Sequence, residues 1–195
     1  RTKSSAASDV YKRQELNEYV KGCNAIASCL GHNMSFQGIF GKPRKLVTDA
    51  TKRLCSAINE GEPKSTVKYI LMNTVGNRNR DLPEKISFSE KCIIWLLRLL
   101  VPPHIDNEEA ADFLRTKIGQ NDNTIKWVVV RPSSLIDEED VSEYKTHSSP
   151  TRSAIFNDGK VSRVNVAAFM NKLITDQNLW EKWKGQMPVI YNKEK

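Results

Sequence analysis

The stretch Ile125-Lys126-Trp127-Val128-Val129-Val130-Arg131-Pro132 constrains this chain more than any other. Residues 125–130 are a nearly unbroken run of β-branched and aromatic side chains. A proline, which cannot donate to a sheet ladder, follows closely, so the run reads as a strand buried on both faces. Strands of that kind belong to parallel sheets covered by helices. An open parallel sheet binds ligands in the crevice outside the carboxyl ends of its strands, which puts Arg131, Pro132, Ser133 and Ser134 at the rim of any site.

The flanking patterns alternate as such a sheet requires. Leu16, Tyr19 and Val20 recur at helical spacing within residues 15–21, and Gly22 stands where a C-terminal cap falls. Residues 24–30 then read as a strand closed by Gly31 and His32, and residues 34–42, with Gly38 and Gly41, read as a loop. From Pro43, a good first helical residue, Leu46, Val47, Ala50, Leu54, Ala57 and Ile58 share one face, and Gly61 with Pro63 ends that helix. The next strand, residues 67–72, runs into Asn73-Thr74-Val75-Gly76. Beyond a charged loop over 78–85, an apolar helix over 88–101 stops at Pro102-Pro103. A further helix over 107–118 turns Ala110, Ala111, Leu114 and Ile118 inward and Glu108, Glu109, Asp112 and Arg115 mostly outward. After the organising strand, the polar residues 137–153 read as a mobile loop over the site. Residues 154–156 read as a short strand, 164–175 as a helix and 188–191 as a last strand. Strand, helix, strand, helix, strand predicts an α/β fold with a parallel sheet.

Length and composition fit one globular domain: 195 residues, 39% hydrophobic and 27% charged. No apolar run approaches the roughly 20 residues of a membrane span, because Arg98 interrupts the longest and Pro102 ends it. The net charge of +7 is a weak signal for an anionic partner. Residues 1–14 alone hold four basic side chains and one acidic one, leaving +4 for the other 181. The basic residues are dispersed with no interleaved aromatics, so nucleic acid is not an expected partner. Residues 1–14 also lack periodicity and an apolar core, and are set aside as a non-native or disordered leader. Cys23, Cys29, Cys55 and Cys92 form no C-x-x-C pair and sit among apolar residues. They read as buried free thiols in a reducing compartment, cytoplasmic or an organellar stroma or matrix, with no metal site expected.

Five segments in order carry a resemblance: Cys29-Leu30-Gly31-His32 closing one strand, Asn73-Thr74-Val75-Gly76 closing the next, His104 to Glu108 opening a helix, Trp127 to Ser133, and Ser162-Arg163-Val164-Asn165 before a helix. Together they resemble the atypical short-chain dehydrogenase/reductase group of NAD(P)-binding, NmrA-like and biliverdin/flavin reductase-like proteins, over about residues 16–191. The resemblance implies a Rossmann-like parallel sheet flanked by helices and a cofactor that is NADP or NAD. It places Cys29, Leu30, Gly31 and His32 under the adenosine and its ribose, and Val130, Arg131, Pro132 and Ser133 beside the nicotinamide. Asn73 and Thr74 fall where related dehydrogenases carry a catalytic serine, and the hydroxyl of Thr74 can both donate and accept. His104 and Glu108 stand where typical members place a tyrosine and a lysine four residues apart. That pair is absent, which leaves His104 as the candidate proton donor. For each of these residues a structural role stands beside the functional one: Thr74 as a strand-end cap, His104 as a plain helix start, Arg131 paired with a buried carboxylate.

The group opens with a strand, a glycine-rich turn and a helix that holds the pyrophosphate on its N-terminal amides. No Gly-x-x-Gly-x-x-Gly occurs here. Residues 15–195 are therefore expected to form a partial NAD(P)-binding domain lacking the first βαβ phosphate-binding segment, with one sheet edge unpaired. Two functions follow from the resemblance: hydride transfer to a small substrate in the complete protein, or non-catalytic dinucleotide sensing or assembly of the NmrA-like kind.

Overall fold

A computed structural model describes residues 14–33, 35–84 and 86–193. Residues 1–13, most of the expected leader, lie outside that set. The described chain opens with a helical segment over residues 14–20 (α1), then β1 (Ala25–Ser28), α2 (Phe36–Phe40), α3 (Leu46–Glu60) and β2 (Val67–Met72). Next come α4 (Phe88–Leu100), α5 (Pro102–Phe113) with a final wide turn over Leu114–Ile118, and β3 (Ile125–Pro132). The remainder is β4 (Ser134–Ile136), β5 (Tyr144–His147), β6 (Lys160–Ser162), α6 (Arg163–Thr175), α7 (Gln177–Trp183) and β7 (Val189–Asn192). Strands β1, β2, β3 and β7 lie side by side in that order and run parallel; β5 closes the far edge antiparallel to β7. The outer edge of β1 has no strand partner among the described residues. Strands β4 and β6 make a separate short parallel ladder.

Side chains on a strand alternate faces, and both faces here are apolar. Tyr69, Leu71, Ile125, Trp127 and Val129 join Val47 and Ile58 of α3 and Ala110 and Ala111 of α5 in one layer. Ile70, Val128 and Val130 join Val166, Phe169 and Leu173 of α6 and Trp180 and Trp183 of α7 in the other. The central run is therefore apolar without alternation because it packs helices on both sides. No helix of the described residues is long and apolar enough to cross a membrane.

Pro132 does not stop β3, which includes it. Arg131 and Ser133 donate their N–H groups to Pro188 and Ile190 on the β7 side, and on the β2 side the Pro132 carbonyl accepts the Val75 N–H. Proline forgoes a donor only at the last rung of that ladder. Other expectations shift in instructive ways. Within residues 34–42 a short helix, α2, forms because the Ser35 hydroxyl accepts the Gly38 N–H as its cap. Pro102 and Pro103 begin α5 rather than merely ending α4, since proline's missing donor is harmless in a first helical turn. Part of the polar stretch 137–153 is the edge strand β5, anchored where Tyr144 meets Phe169 edge-on at 6.1 Å. Residues 154–156 form a turn, not a strand. Only Cys55 is a fully buried thiol: Cys23 is half-buried, while Cys29 and Cys92 are exposed.

Candidate functional site

The carboxyl ends of β2 and β3 frame a cavity of about 250 Å³ lined by Thr74, Gly76, His104 and Ser133, with Ile94 and Leu97 of α4 as an apolar wall. Local hydrogen bonds set its floor. Asn73 extends the β2 ladder by donating its N–H to Val130 O at 2.8 Å, and its side-chain oxygen accepts the Thr74 N–H at 2.9 Å. Thr74 Oγ1 then accepts the Gly76 N–H at 3.3 Å, closing a tight turn. The hydroxyl thus caps the strand end and still has its own hydrogen to donate. A Cβ built on Gly76 would lie 3.8 Å from Thr74 Oγ1 and 3.8 Å from His104 Cε1, so the hydroxyl and the imidazole converge over that glycine.

His104 sits in the first turn of α5, and its Nε2 lies 3.4 Å from Glu108 Oε1, one turn on. The outward position expected for Glu108 is not found. It is 6% exposed and accepts a two-pronged contact from Arg98, with Nε to Oε2 at 2.8 Å and Nη2 to Oε1 at 2.9 Å. Burial opposes ionisation of Glu108, yet His104 and Arg98 together hold its carboxyl below the usual range. The imidazole therefore has a fixed anion on one side and the cavity on the other. Among the described residues, Ser133 Oγ is buried with no hydrogen-bond partner.

The other anticipated residues are spent elsewhere. Arg131 is fully buried: its Nη2 lies 2.8 Å from Glu84 Oε1, Nε donates to Met187 O and Nη1 to Asn77 O. The guanidinium braces the 77–84 loop from inside and does not reach the cavity, so only the Arg131 backbone stands near the rim. Asn73 donates Nδ2 to Asn107 O at 2.9 Å, tying β2 to α5. Val130 packs into the α6 layer, and the Pro132 carbonyl accepts the Val75 N–H. Cys29, Leu30 and Gly31 form an exposed ledge at the end of β1, outside the cavity, and nothing lies within 4 Å of where a Gly31 Cβ would stand. His32 is turned inward, with Nε2 2.7 Å from Asp106 Oδ2 and Nδ1 3.2 Å from Gly38 O. Sequence reasoning read Asp158 only as a turn residue. It lines the cavity and accepts a hydrogen bond from Ser134 Oγ at 2.6 Å. No short-range pattern connects two residues 24 positions apart.

A parallel sheet covered by helices on both faces, with a cavity at its carboxyl edge, is the architecture of the Rossmann-like nucleotide-binding class. The NAD(P)H-binding family profile matches residues 4–177, and the chain belongs to that family. Solved structures share the fold. An oxidoreductase from Lactococcus lactis aligns with a TM-score of 0.59 at 14% identity, over 93% of this chain and 68% of its own. A wide-type short-chain dehydrogenase/reductase from Veillonella parvula, determined in complex with NADP, aligns with a TM-score of 0.59 at 13% identity, over 92% and 68%. The anaerobilin reductase ChuY from Escherichia coli O157:H7 aligns with a TM-score of 0.61 at 16% identity, over 94% and 72%. A search of curated proteins finds no significant match.

The cavity residues fit the nicotinamide end of such a cofactor. Ser133 brings an unpartnered buried hydroxyl and Thr74 a free donor, which suit a carboxamide and a carbonyl oxygen. The open backbone at Gly31 suits a flat group laid against the end of β1.

Proposed function

We propose that the cavity between the ends of β2 and β3 receives the nicotinamide end of NADP(H) or NAD(H), and that in the complete protein this site reduces a small carbonyl or conjugated substrate. The bound dinucleotide supplies the hydride. Thr74 donates its hydroxyl hydrogen to the substrate oxygen and orients it. His104, with Nε2 turned to Glu108, releases a proton from Nδ1 to that oxygen, so that one hydride and one proton convert a carbonyl to an alcohol. Glu108, ionised, steadies the charged imidazole. Ser133 holds the carboxamide. Residues 15–195 supply this half of the site. The convergence of Thr74 Oγ1 and His104 Cε1 on Gly76 carries the reading.

Titration calorimetry with NADPH and NADH, on this chain and on the chain extended upstream through a glycine-rich segment, is the test, followed by hydride-transfer assays. Binding by the extended chain is expected, with His104→Ala lowering kcat by roughly 10²–10⁴. If neither chain binds either dinucleotide, the proposal fails. Binding without turnover would favour the sensing role. One feature favours that second reading: Glu108 stands where a catalytic lysine stands in typical members, and Arg98 engages both of its oxygens.

A further inference from the structure

Helix α4 turns only Glu90 and Ile94 fully into the protein. Phe88 is 82% and Trp95 64% exposed, and Cys92, Leu96, Leu99 and Leu100 are exposed with them. These six are not scattered. Phe88, Cys92, Trp95 and Leu99 follow one another at four, three and four residues, the a/d seam of a helix that packs on another helix, and Leu96 and Leu100 widen that seam on one side. The helix that carries it is fixed at both ends. Its capping box joins Ser87 and Glu90, Glu90 also accepts the Ser153 hydroxyl, and Arg98 near the last turn holds Glu108. The seam is therefore ordered in the single chain, which lowers the cost of docking on it.

We propose that α4 is a self-association surface, on which two copies of this chain pack their α4 helices antiparallel. Symmetry and size both point to a second copy. Phe88 and Leu99 lie equally far from a point between residues 93 and 94, and so do Cys92 and Trp95. A two-fold axis at that point sets Phe88 of each copy on Leu99 of the other and seats each Trp95 indole over the small Cys92 side chain of the other. Large meets small at the centre, as close packing demands. The antiparallel sense also brings each helix N-terminus beside a C-terminus of opposite partial charge. As for size, Phe88, Trp95 and the three leucines leave roughly 500 Å² of apolar surface in water, towards the upper end for the largest patch of a monomer. Two such faces together hide about 1,000 Å² before any polar rim is counted, the size at which a specific interface holds. The seam lies on the side of α4 turned away from Ile94 and Leu97, which wall the cavity, so it does not depend on the reduction reading.

Sedimentation equilibrium over roughly 1–300 µM chain is expected to show the mass rising from that of one chain towards that of two, with a micromolar midpoint for so short a seam. Iodoacetamide footprinting locates the surface. In dilute chain Cys92 and Cys29 both react; as the concentration rises, Cys92 is expected to slow at least about five-fold by mass action while the exposed Cys29 keeps its rate. Trp95→Glu, at an exposed position where circular dichroism should report an intact fold, is expected to weaken association at least about ten-fold. Tyr19→Glu, on α1 before the amino end of β1, is expected to leave it unchanged. Leu99→Glu alone should break the pair, and adding Phe88→Lys should restore it, because the antiparallel register sets the two new charges, of opposite sign, against each other. A single mass at every concentration, association with Cys92 unprotected, or association that survives Trp95→Glu would overturn the proposal. Protection of Cys92 in dilute chain by phosphatidylserine vesicles would overturn it too, in favour of a lipid surface. Failure of Phe88→Lys to rescue Leu99→Glu overturns the antiparallel register and with it the pairing proposed.

Discussion

Asp106→Asn tests how the carboxyl edge of the sheet is held. Lys45, at the start of α3, makes no side-chain cap, and a carboxylate reaches over from α5 to do that work. Asp106, 1% exposed, accepts the Val47 N–H at 2.8 Å and the Thr48 N–H at 2.9 Å, and its Oδ2 also lies 2.7 Å from His32 Nε2. An asparagine presents one oxygen and one NH₂. In its better orientation Oδ1 keeps Val47 and His32, and the NH₂ meets the Thr48 N–H, leaving a buried donor unpaired at about 1–3 kcal/mol. Loss of the negative charge at a helix N-terminus adds about 0.3–1 kcal/mol. The sum, roughly 1.3–4 kcal/mol, lowers Tm by roughly 3–16 °C in a chain of this size. The pH dependence has a definite sign. Burial opposes ionisation of Asp106, but hydrogen bonds from Thr48, His32 and the α3 amides outweigh it and hold the carboxyl below its ordinary range. A depressed carboxyl contributes stability that is whole above its unfolded pKa of about 3.9 and fades as pH falls through the folded value. Urea melts at a series of pH values should therefore show a gap between the native chain and the variant that is flat from pH 7 to about 5 and narrows in more acid solution. A gap under about 0.5 kcal/mol at pH 7, or one that widens on acidification, would refute this account of the cap.

Three further outcomes follow from burial. Arg131→Met strands the Glu84 carboxylate, whose side chain is 2% exposed, and should cost about 3–5 kcal/mol in denaturant melts; adding Glu84→Gln should return at least half of that loss. Iodoacetamide at pH 8 should modify Cys92 in the native chain while sparing Cys55, whose thiol is pushed up to about 12 by burial and secondarily by Asp122; peptide mass spectrometry before and after unfolding reads this directly. Leu99, 66% exposed on α4, should tolerate alanine within about 0.5 kcal/mol, whereas Leu114→Ala, at a fully buried position against β3, should cost about 2–5 kcal/mol by the same melts.

What the sequence disclosed and what it hid divide along one physical line. Periodicity reports burial of apolar side chains, so β2, β3, α3, α6 and the two helical layers could be read from residue spacing, and the carboxyl ends of β2 and β3 followed as the place to look. Thr74, Gly76, His104 and Ser133 do meet there. Buried polar groups leave no periodic trace, because their partners are distant in sequence: Asp106 serves amides 58 and 59 positions away, and Arg131 serves a carbonyl 56 positions away. Such groups are costly to bury unless fully paired, which is why Arg131, Asp106 and Asn73 are each taken up by several backbone groups and cannot also serve a ligand. Arg131 and Asn73 lie at strand ends and Asp106 in α5, and they fix in turn the 77–84 loop, the join of β2 to α5 and the start of α3. Arg131, which the resemblance set beside the nicotinamide, is thus part of the frame.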